Sequence, residues 1–259
     1  MEIVNRSESF ETGDSGRLAF AYVQYFVQQE GILYRGKWQD RYNDPRTLDQ
    51  LEDVKEVQTK DRGPKLQDAW SQIYIKTPSL FQFATADLEE QLHREVSVCE
   101  ILRRNPQPNI AVYYGCQQTN GRVSALCFKQ YKTTLHLKVN PGHLNKNMFR
   151  ERRDLVNDTV KASLNGILSG IKHLHSLGLV HNDINPSNIM FDEDDNPVLI
   201  DFGSCRRMGE HLYETRCGRT PYWYDPEVET AEPKNDLDAF EELKLWLVGG
   251  LEQKFLFGS

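Results

Sequence analysis

Residues 179–203 read LVHNDINPSNIMFDEDDNPVLIDFG. Two short apolar runs, IMF at 189–191 and VLI at 198–200, flank the acidic stretch DEDDN. This pattern predicts two short strands joined by a tight turn. Asp183, Asn188 and Asp201 lie at the borders of those runs. Asp183 is five residues before Asn188, so one loop can turn both toward a single point. Asp201 precedes Phe202–Gly203, and glycine lets the backbone turn sharply after the acid. Two carboxylates and an amide make an oxygen-rich cluster. Such a donor set suits Mg²⁺, which keeps several waters and borrows one or two carboxylates plus substrate phosphates. The constellation can hold a metal triphosphate and orient a hydroxyl.

Working outward, Val160, Leu164, Ile167, Leu168, Ile171 and Leu174 recur at helical spacing, predicting a long amphipathic helix over about 154–177 that stops near Gly178. Farther upstream, SQIYIKT predicts a strand with Ile73 and Ile75 on one side and Tyr74 and Lys76 on the other. TADLEEQLHREVSVCEILRR predicts a helix with an apolar stripe of Leu88, Leu92, Val96, Cys99 and Leu102. IAVYYGC and VSALCFKQY predict two strands joined at Thr119–Gly121. LAFAYVQYFV and ILYRGKW flank QQEG as a candidate hairpin, with a helix open for the first piece. Residues 1–16 suggest a flexible lead, and the charged span 37–68 suggests loops. Downstream, a final helix is expected from about Asp236 to Val248. Strands plus one helix, then mainly helices, make an α+β plan of two lobes.

Composition bounds the partners. The 259 residues carry a net charge of −7, with 39% hydrophobic and 27% charged residues. Nothing in this balance asks for nucleic acid or an anionic membrane. The five cysteines form no C-x-x-C pair, so neither a disulfide framework nor a zinc site is expected. The first residues lack an apolar signal core, and no run approaches the roughly 18–20 apolar residues of a membrane span. A cytoplasmic or nuclear location is the expectation.

The opening segment resembles the catalytic loop and the metal-binding loop of eukaryotic-type protein kinases, H-R-D-L-x-x-x-N and D-F-G, here HNDINPSN and DFG. Lys76 in IYIK matches the phosphate-pairing lysine of that family, and Glu95 in HREVSVCEIL its helix glutamate. GRTPYWYDPE resembles the end of the activation segment, with Asp225-Pro226-Glu227 in place of A-P-E. Asp236 in NDLDAF matches the aspartate that opens the central helix of the second lobe. Six motifs stand in the family's order between about residues 63 and 248.

The resemblance implies a β-rich first lobe over 17–131, a shortened helical second lobe over 132–259, and ATP with Mg²⁺ as cofactors. It implies that Asp201 and Asn188 bind metal, and that Asp183 orients the attacking hydroxyl and accepts its proton. Lys76, held by Glu95, would neutralise phosphate charge. Gly63, Tyr74, Phe128, Gln130 and Met190 would contact the nucleotide. His181 and Phe202 would pack the loops. The partner would be a protein substrate of unknown identity, and the oligomeric state is open.

The sequence also departs from the family. No G-x-G-x-x-G precedes Lys76; Gly63 is the nearby glycine, and fewer glycines leave fewer N–H groups close to phosphate. Tyr74 stands where the family has alanine, on the Lys76 face of its strand, where it would crowd or cap adenine. Asn182 and Asn185 replace an arginine and a lysine. An amide does not pair with phosphate as a guanidinium does, so switching by phosphorylation through residue 182 is not expected; Arg206, Arg207 and Arg219 are the substitutes at hand. The final helix gathers Asp238, Glu241, Glu242 and Lys244 on one side and Ala239, Phe240, Leu243, Trp246 and Leu247 on the other. One side therefore looks built for water, as in a natively short second lobe. Glu227 lacks the family's downstream arginine. Three readings follow: a serine/threonine protein kinase, a pseudokinase kept for nucleotide or protein binding, and a kinase-fold phosphotransferase acting on a small molecule.

Overall fold

A computed structural model describes residues 1–12, 18–57, 63–64, 73–215 and 217–258. The chain divides into two compact units. The first comprises Met1–Lys65, Thr77–Glu89 and Gln117–Ala125; the second comprises Leu66–Lys76, Glu90–Cys116 and Leu126–Ser259.

In the first unit, strands β1 (Glu2–Thr12), β2 (Leu18–Gln29), β3 (Ile32–Trp38) and β4 (Glu52–Glu56) form an antiparallel meander in that order. The β2–β3 hairpin is therefore a hairpin, and the helical alternative for its first piece is excluded. Its turn places Glu30 at φ 53° and Gly31 at φ 79°, the left-handed pair that matches strand twist. Val23, Tyr25 and Val27 alternate onto one buried face and pack with Leu51, flanked by Tyr34, Trp38 and Leu48. Gly36, opposite Tyr25, admits no side chain, because a Cβ would stand 2.8 Å from Leu51 Cβ. Asp44 ties the covering segment down by accepting from Tyr25 Oη at 2.5 Å. The N-terminal segment corrects the expected lead. Residues 2–12 are a strand with a ladder on β2, and residues 13–16 of that lead lie outside the described residues. The 37–68 span, read as loops, contains β4 and the two-residue strand β5 (Gly63–Pro64), which pairs with Thr119, Gln118 and Val123.

Next come β6 (Ile73–Lys76), α1 (Leu80–Phe83), α2 (Leu88–Arg104), β7 (Tyr113–Thr119) and β8 (Arg122–Lys129). On α2, Leu88, Leu92, Cys99 and Leu102 are buried as their spacing predicts. The β7–β8 turn falls at Asn120 and Gly121, both at positive φ. Strand β6 pairs antiparallel with β8, setting Tyr74 opposite Phe128 and Lys76 opposite Leu126.

Beyond β8, helices carry the core: α3 (Leu135–Val139), α4 (Lys146–Arg150) and α5 (Asp158–Ser176). Asn157 caps α5 by accepting from Val160 N at 2.9 Å, and Gly178 ends it at φ 73°. Val160, Ile167, Ile171 and Leu174 are fully buried. Then follow β9 (Leu179–Val180), β10 (Ile189–Phe191), β11 (Pro197–Leu199), β12 (Arg206–Arg207) and α6 (Pro233–Val248). Strand β10 pairs with β11 across the acidic turn, and β9 with β12. The fold is α+β, strand-rich first and helical after.

Helix α6 corrects one expectation. Glu241 and Lys244 are exposed, but Glu242 is fully buried. It is paired with the buried Lys146 and accepts the N–H of Leu256 at 2.6 Å. A buried carboxylate persists only with such compensation; removing a partner costs about 3–5 kcal/mol.

Candidate active site

The second unit contains Lys76, Glu95, Asp183, Asn188 and Asp201 together. Strand β6 supplies Lys76, whose Nζ donates to Glu95 Oε1 at 2.7 Å and to Asp201 Oδ1 at 2.7 Å. Burial works to lower the Lys76 ammonium, but the two carboxylates outweigh it and hold it above the ordinary lysine range. Burial pushes Glu95 up, against the pull of Lys76. Asp201 is also opposed by burial, yet Lys76 and the N–H of Gly203 keep it below the usual carboxylate value.

The sharp turn after the second strand falls on Asp201 itself, at φ 60°, and not on Gly203. The glycine is needed for another reason. A Cβ there would lie 3.3 Å from Asp201 Oδ1, 3.6 Å from Glu95 Oε2 and 3.9 Å from Lys76 Nζ. Residue 203 thus sits directly against the charged triad.

Asp183 and Asn188 meet as their spacing suggests. Asn188 Nδ2 donates to Asp183 Oδ2 at 2.8 Å and to its carbonyl at 2.9 Å. The carbonyl of Asn188 accepts the N–H of Ile200 at 3.0 Å, which brings the residue before Asp201 alongside. Asn188 Oδ1 and Asp201 Oδ2 carry no hydrogen bond among the described residues. Two oxygens of this kind fit a hard cation sharing its shell with phosphate and water. Among the described residues no group of three or more His, Cys, Asp and Glu side chains is arranged to hold a metal ion. A site of this type therefore rests on one carboxylate, one amide and its ligand.

Two features of the site are not legible as spacing. Thr220 donates its N–H to Asp183 Oδ1 at 2.8 Å and its hydroxyl to Oδ2 at 3.1 Å. Asn185 Nδ2 bridges the carbonyl of Asp183 and the hydroxyl of Thr220, both at 3.1 Å. These contacts join segments 35 and 37 residues apart, and a lone threonine before proline gives no local signal of them.

The loop bearing Asp183 is held from beneath. Asp236, fully buried near the start of α6, accepts the N–H groups of His181 and Asn182 and the ring of His175, each at 2.8 Å. His181 Nε2 bonds the carbonyl of Ile200 at 3.0 Å, and its ring lies 5.8 Å from the buried Phe202. Both aromatics pack loops, as expected. Asn182 has φ 63°, a left-handed conformation that asparagine tolerates better than most residues. Its amide donates to the carbonyls of Val180 and Ser204 and accepts from Asn235. Residue 182 is therefore a buried structural link.

A cavity of about 330 Å³ opens beside the triad. Tyr74, Lys76, Phe128, Gln130, Met190 and Asp201 line it, so the expected nucleotide contacts in this unit converge. Tyr131, which accepts the N–H of Val112 at 3.0 Å, also lines it, though no local sequence signal marks it. Tyr74 is half exposed at the cavity. Gly63 belongs to the other unit.

After Asp201, the buried Arg206 donates to the hydroxyl and carbonyl of Thr215 at 2.8 Å each, and Arg94 to the same carbonyl at 2.8 Å. Of Arg206, Arg207 and Arg219, Arg206 is the one bonded to Thr215. Arg207 is exposed, and Arg219 stacks on Tyr224 with 4.0 Å from Cζ to the ring centre. Glu227 is exposed, so it needs no buried cation.

The protein kinase domain family matches residues 74–249. Mitogen-activated protein kinase kinase kinase 5 of Arabidopsis thaliana is 26% identical over 167 residues, covering 64% of this chain and 22% of the relative. Human mitogen-activated protein kinase kinase kinase 3 is 31% identical over 147 residues, 54% of this chain and 22% of the relative. Serine/threonine-protein kinase ste20 of Aspergillus oryzae is 44% identical over 93 residues, 36% of this chain and 10% of the relative. The chain thus spans a quarter or less of the length of these relatives. No helix among the described residues is long and apolar enough to cross a membrane.

Proposed function

Because the chain belongs to the protein kinase family, we propose that it transfers the γ-phosphate of Mg-ATP to a serine or threonine hydroxyl of a protein. The observation that carries this reading is the pair of hydrogen bonds that Lys76 donates to Glu95 and Asp201, beside an Asp183 fixed by Asn188 and Thr220. Lys76 offers a fixed positive charge at the mouth of the cavity, where phosphate oxygens would replace Asp201 as its partner. Asn188 and Asp201 would hold Mg²⁺, which when bound neutralises phosphate charge. Asp183 aligns the attacking hydroxyl and takes its proton, with Thr220 yielding the carboxylate oxygen that the substrate needs. Tyr74, Phe128, Gln130 and Met190 would enclose the base. The lobe boundary near residue 131 and an intracellular setting belong to the same proposal.

A binding role without transfer is the second reading. It is favoured by Tyr74 at the cavity wall and by Thr220 holding both Asp183 oxygens. A labelled-ATP assay on serine and threonine peptides separates the two. Transfer is expected from the native chain, falling by about 10²–10⁴-fold in Asp183→Ala. Mg-ATP stabilisation without transfer would favour the binding role. Turnover unchanged in Asp183→Ala would remove that residue from the mechanism.

A further inference from the structure

Lys146, at the start of α4, is a buried ammonium that no step of the proposed transfer uses. Its Nζ donates to the carbonyl of Tyr222 and to Oε1 of the fully buried Glu242. The same nitrogen stands 4.3 Å from the centre of the Trp223 ring and 4.8 Å from that of Phe255. One cation thus joins the loop after Thr220, helix α6 and the segment that follows α6.

The loop needs such a hold. Tyr222 has φ 69°, a left-handed conformation that a bulky residue keeps only where its surroundings enforce it. Two residues earlier, Thr220 binds both oxygens of Asp183, and the N–H of Trp223 returns to the carbonyl of Thr220 at 3.2 Å. What holds Tyr222 and Trp223 therefore bears on Thr220.

The segment after α6 completes the hold. Its root is fixed: Arg153 donates to the carbonyls of Trp246, Gly249 and Leu245 at 2.8, 2.6 and 2.6 Å, and Arg150 to that of Gly250. Farther on, Phe255 lies across both Lys146 and Arg150, its ring centre 4.6 Å from Arg150 Cζ. The N–H of Leu256 donates to Oε2 of Glu242 at 2.6 Å. A Cβ at Gly258 would lie 3.8 Å from Cδ1 of Tyr222. Within residues 251–258 only Phe255 and Phe257 are half-buried, and the others are exposed. A segment with so few buried contacts opens at low free energy while its root stays in place.

We propose that residues 255–258 form a latch that acts through Lys146. Docked, they shield Lys146 and Glu242 from water, so that Lys146 stays on the Tyr222 carbonyl and the Thr220 loop stays on Asp183. Undocked, they admit water that competes for those contacts, and the loop is freed. Lys146 is a positioning residue, because it reaches Asp183 only through Tyr222 and Thr220. The latch is a property of packing and stands whether or not the chain transfers phosphate.

Amide hydrogen exchange on the full chain tests this. In Phe255→Ala, the amides of Thr220 and Trp223 are expected to exchange about tenfold faster than in the native chain, while those of α5 keep their native rates. Phe255→Trp keeps a ring over the two cations and should restore protection. Lys146→Met combined with Glu242→Leu removes both buried charges together, so neither is left uncompensated. This double variant should loosen the same two amides with Phe255 still present, and native protection there overturns the part given to Lys146. Unchanged exchange of the loop in Phe255→Ala overturns the latch. A rise shared equally with α5 does so too, since it would mark a general loss of stability.

Discussion

At the residue scale, Asp236 shows how one buried charge shapes a loop it does not belong to. Its two oxygens receive the N–H groups of His181 and Asn182, at the point where the backbone enters a left-handed conformation. Both N–H groups are buried, so losing their acceptor leaves them unsatisfied at about 1–3 kcal/mol each. Asp236→Ala is therefore expected to lower unfolding free energy by roughly 2–6 kcal/mol in urea, and Asp236→Asn by less. A change under about 0.5 kcal/mol would show that water reaches those groups. Asn182 belongs to the same unit of structure. Read in sequence it is a missing phosphate partner; in the fold it is a clasp between Val180, Ser204 and Asn235. Its buried amide and positive φ, which local sequence does not encode, explain why asparagine is accommodated there.

At the element scale, the β1–β4 meander shows what its carboxylates contribute. Hydrogen bonds from Tyr25 and Arg6 hold Asp44 below the ordinary aspartate range, and a hydrogen bond from Arg41 does the same for Glu8. A depressed pKa stabilises the folded state fully above the unfolded value, about 3.9 for aspartate and 4.3 for glutamate. That contribution is lost as pH falls through the lower folded values. The meander is thus expected to weaken below about pH 4, and Asp44→Asn to flatten part of that dependence. Tryptophan fluorescence of Trp38, followed through acid titration in both forms, measures it; identical acid profiles would remove Asp44 from the effect. Helix α6 makes the complementary point. Helical period alone sets its charged residues on one side, yet Glu242 faces inward because Lys146, 96 residues earlier, meets it there.

At the scale of the whole molecule, the two units differ in what holds them. The meander rests on a small cluster around Val23, Tyr25, Val27 and Leu51, with β4 exposed throughout. The second unit buries α5, β10, β11 and much of α6. Local opening free energy follows such differences in buried apolar contact. Amides of β1 and β4 are expected to exchange with deuterium well before those of α5. Exchange at one common rate would indicate a single cooperative unit.

The sequence alone determined the elements whose signals are local and the residue types of the candidate site. Residues 179–203 carried two strands and three polar residues, and the periods of 160–174 and 88–102 carried two helices. These signals are local: alternation, helical spacing and turn residues act over a few positions, and the paired motifs IYIK, HNDINPSN and DFG lie within such windows. Tertiary structure decided what depends on distant segments meeting. It turned Asp201 rather than Gly203 into the left-handed position, set Thr220 and Asn185 on Asp183, buried Glu242 against Lys146, and made a strand of Glu2–Thr12. Several of these outcomes depend on partners distant along the chain, as with Asn185 and Thr220, 35 residues apart. Burial and hydrogen bonding are properties of the assembled neighbourhood, so periodicity along the chain does not report them.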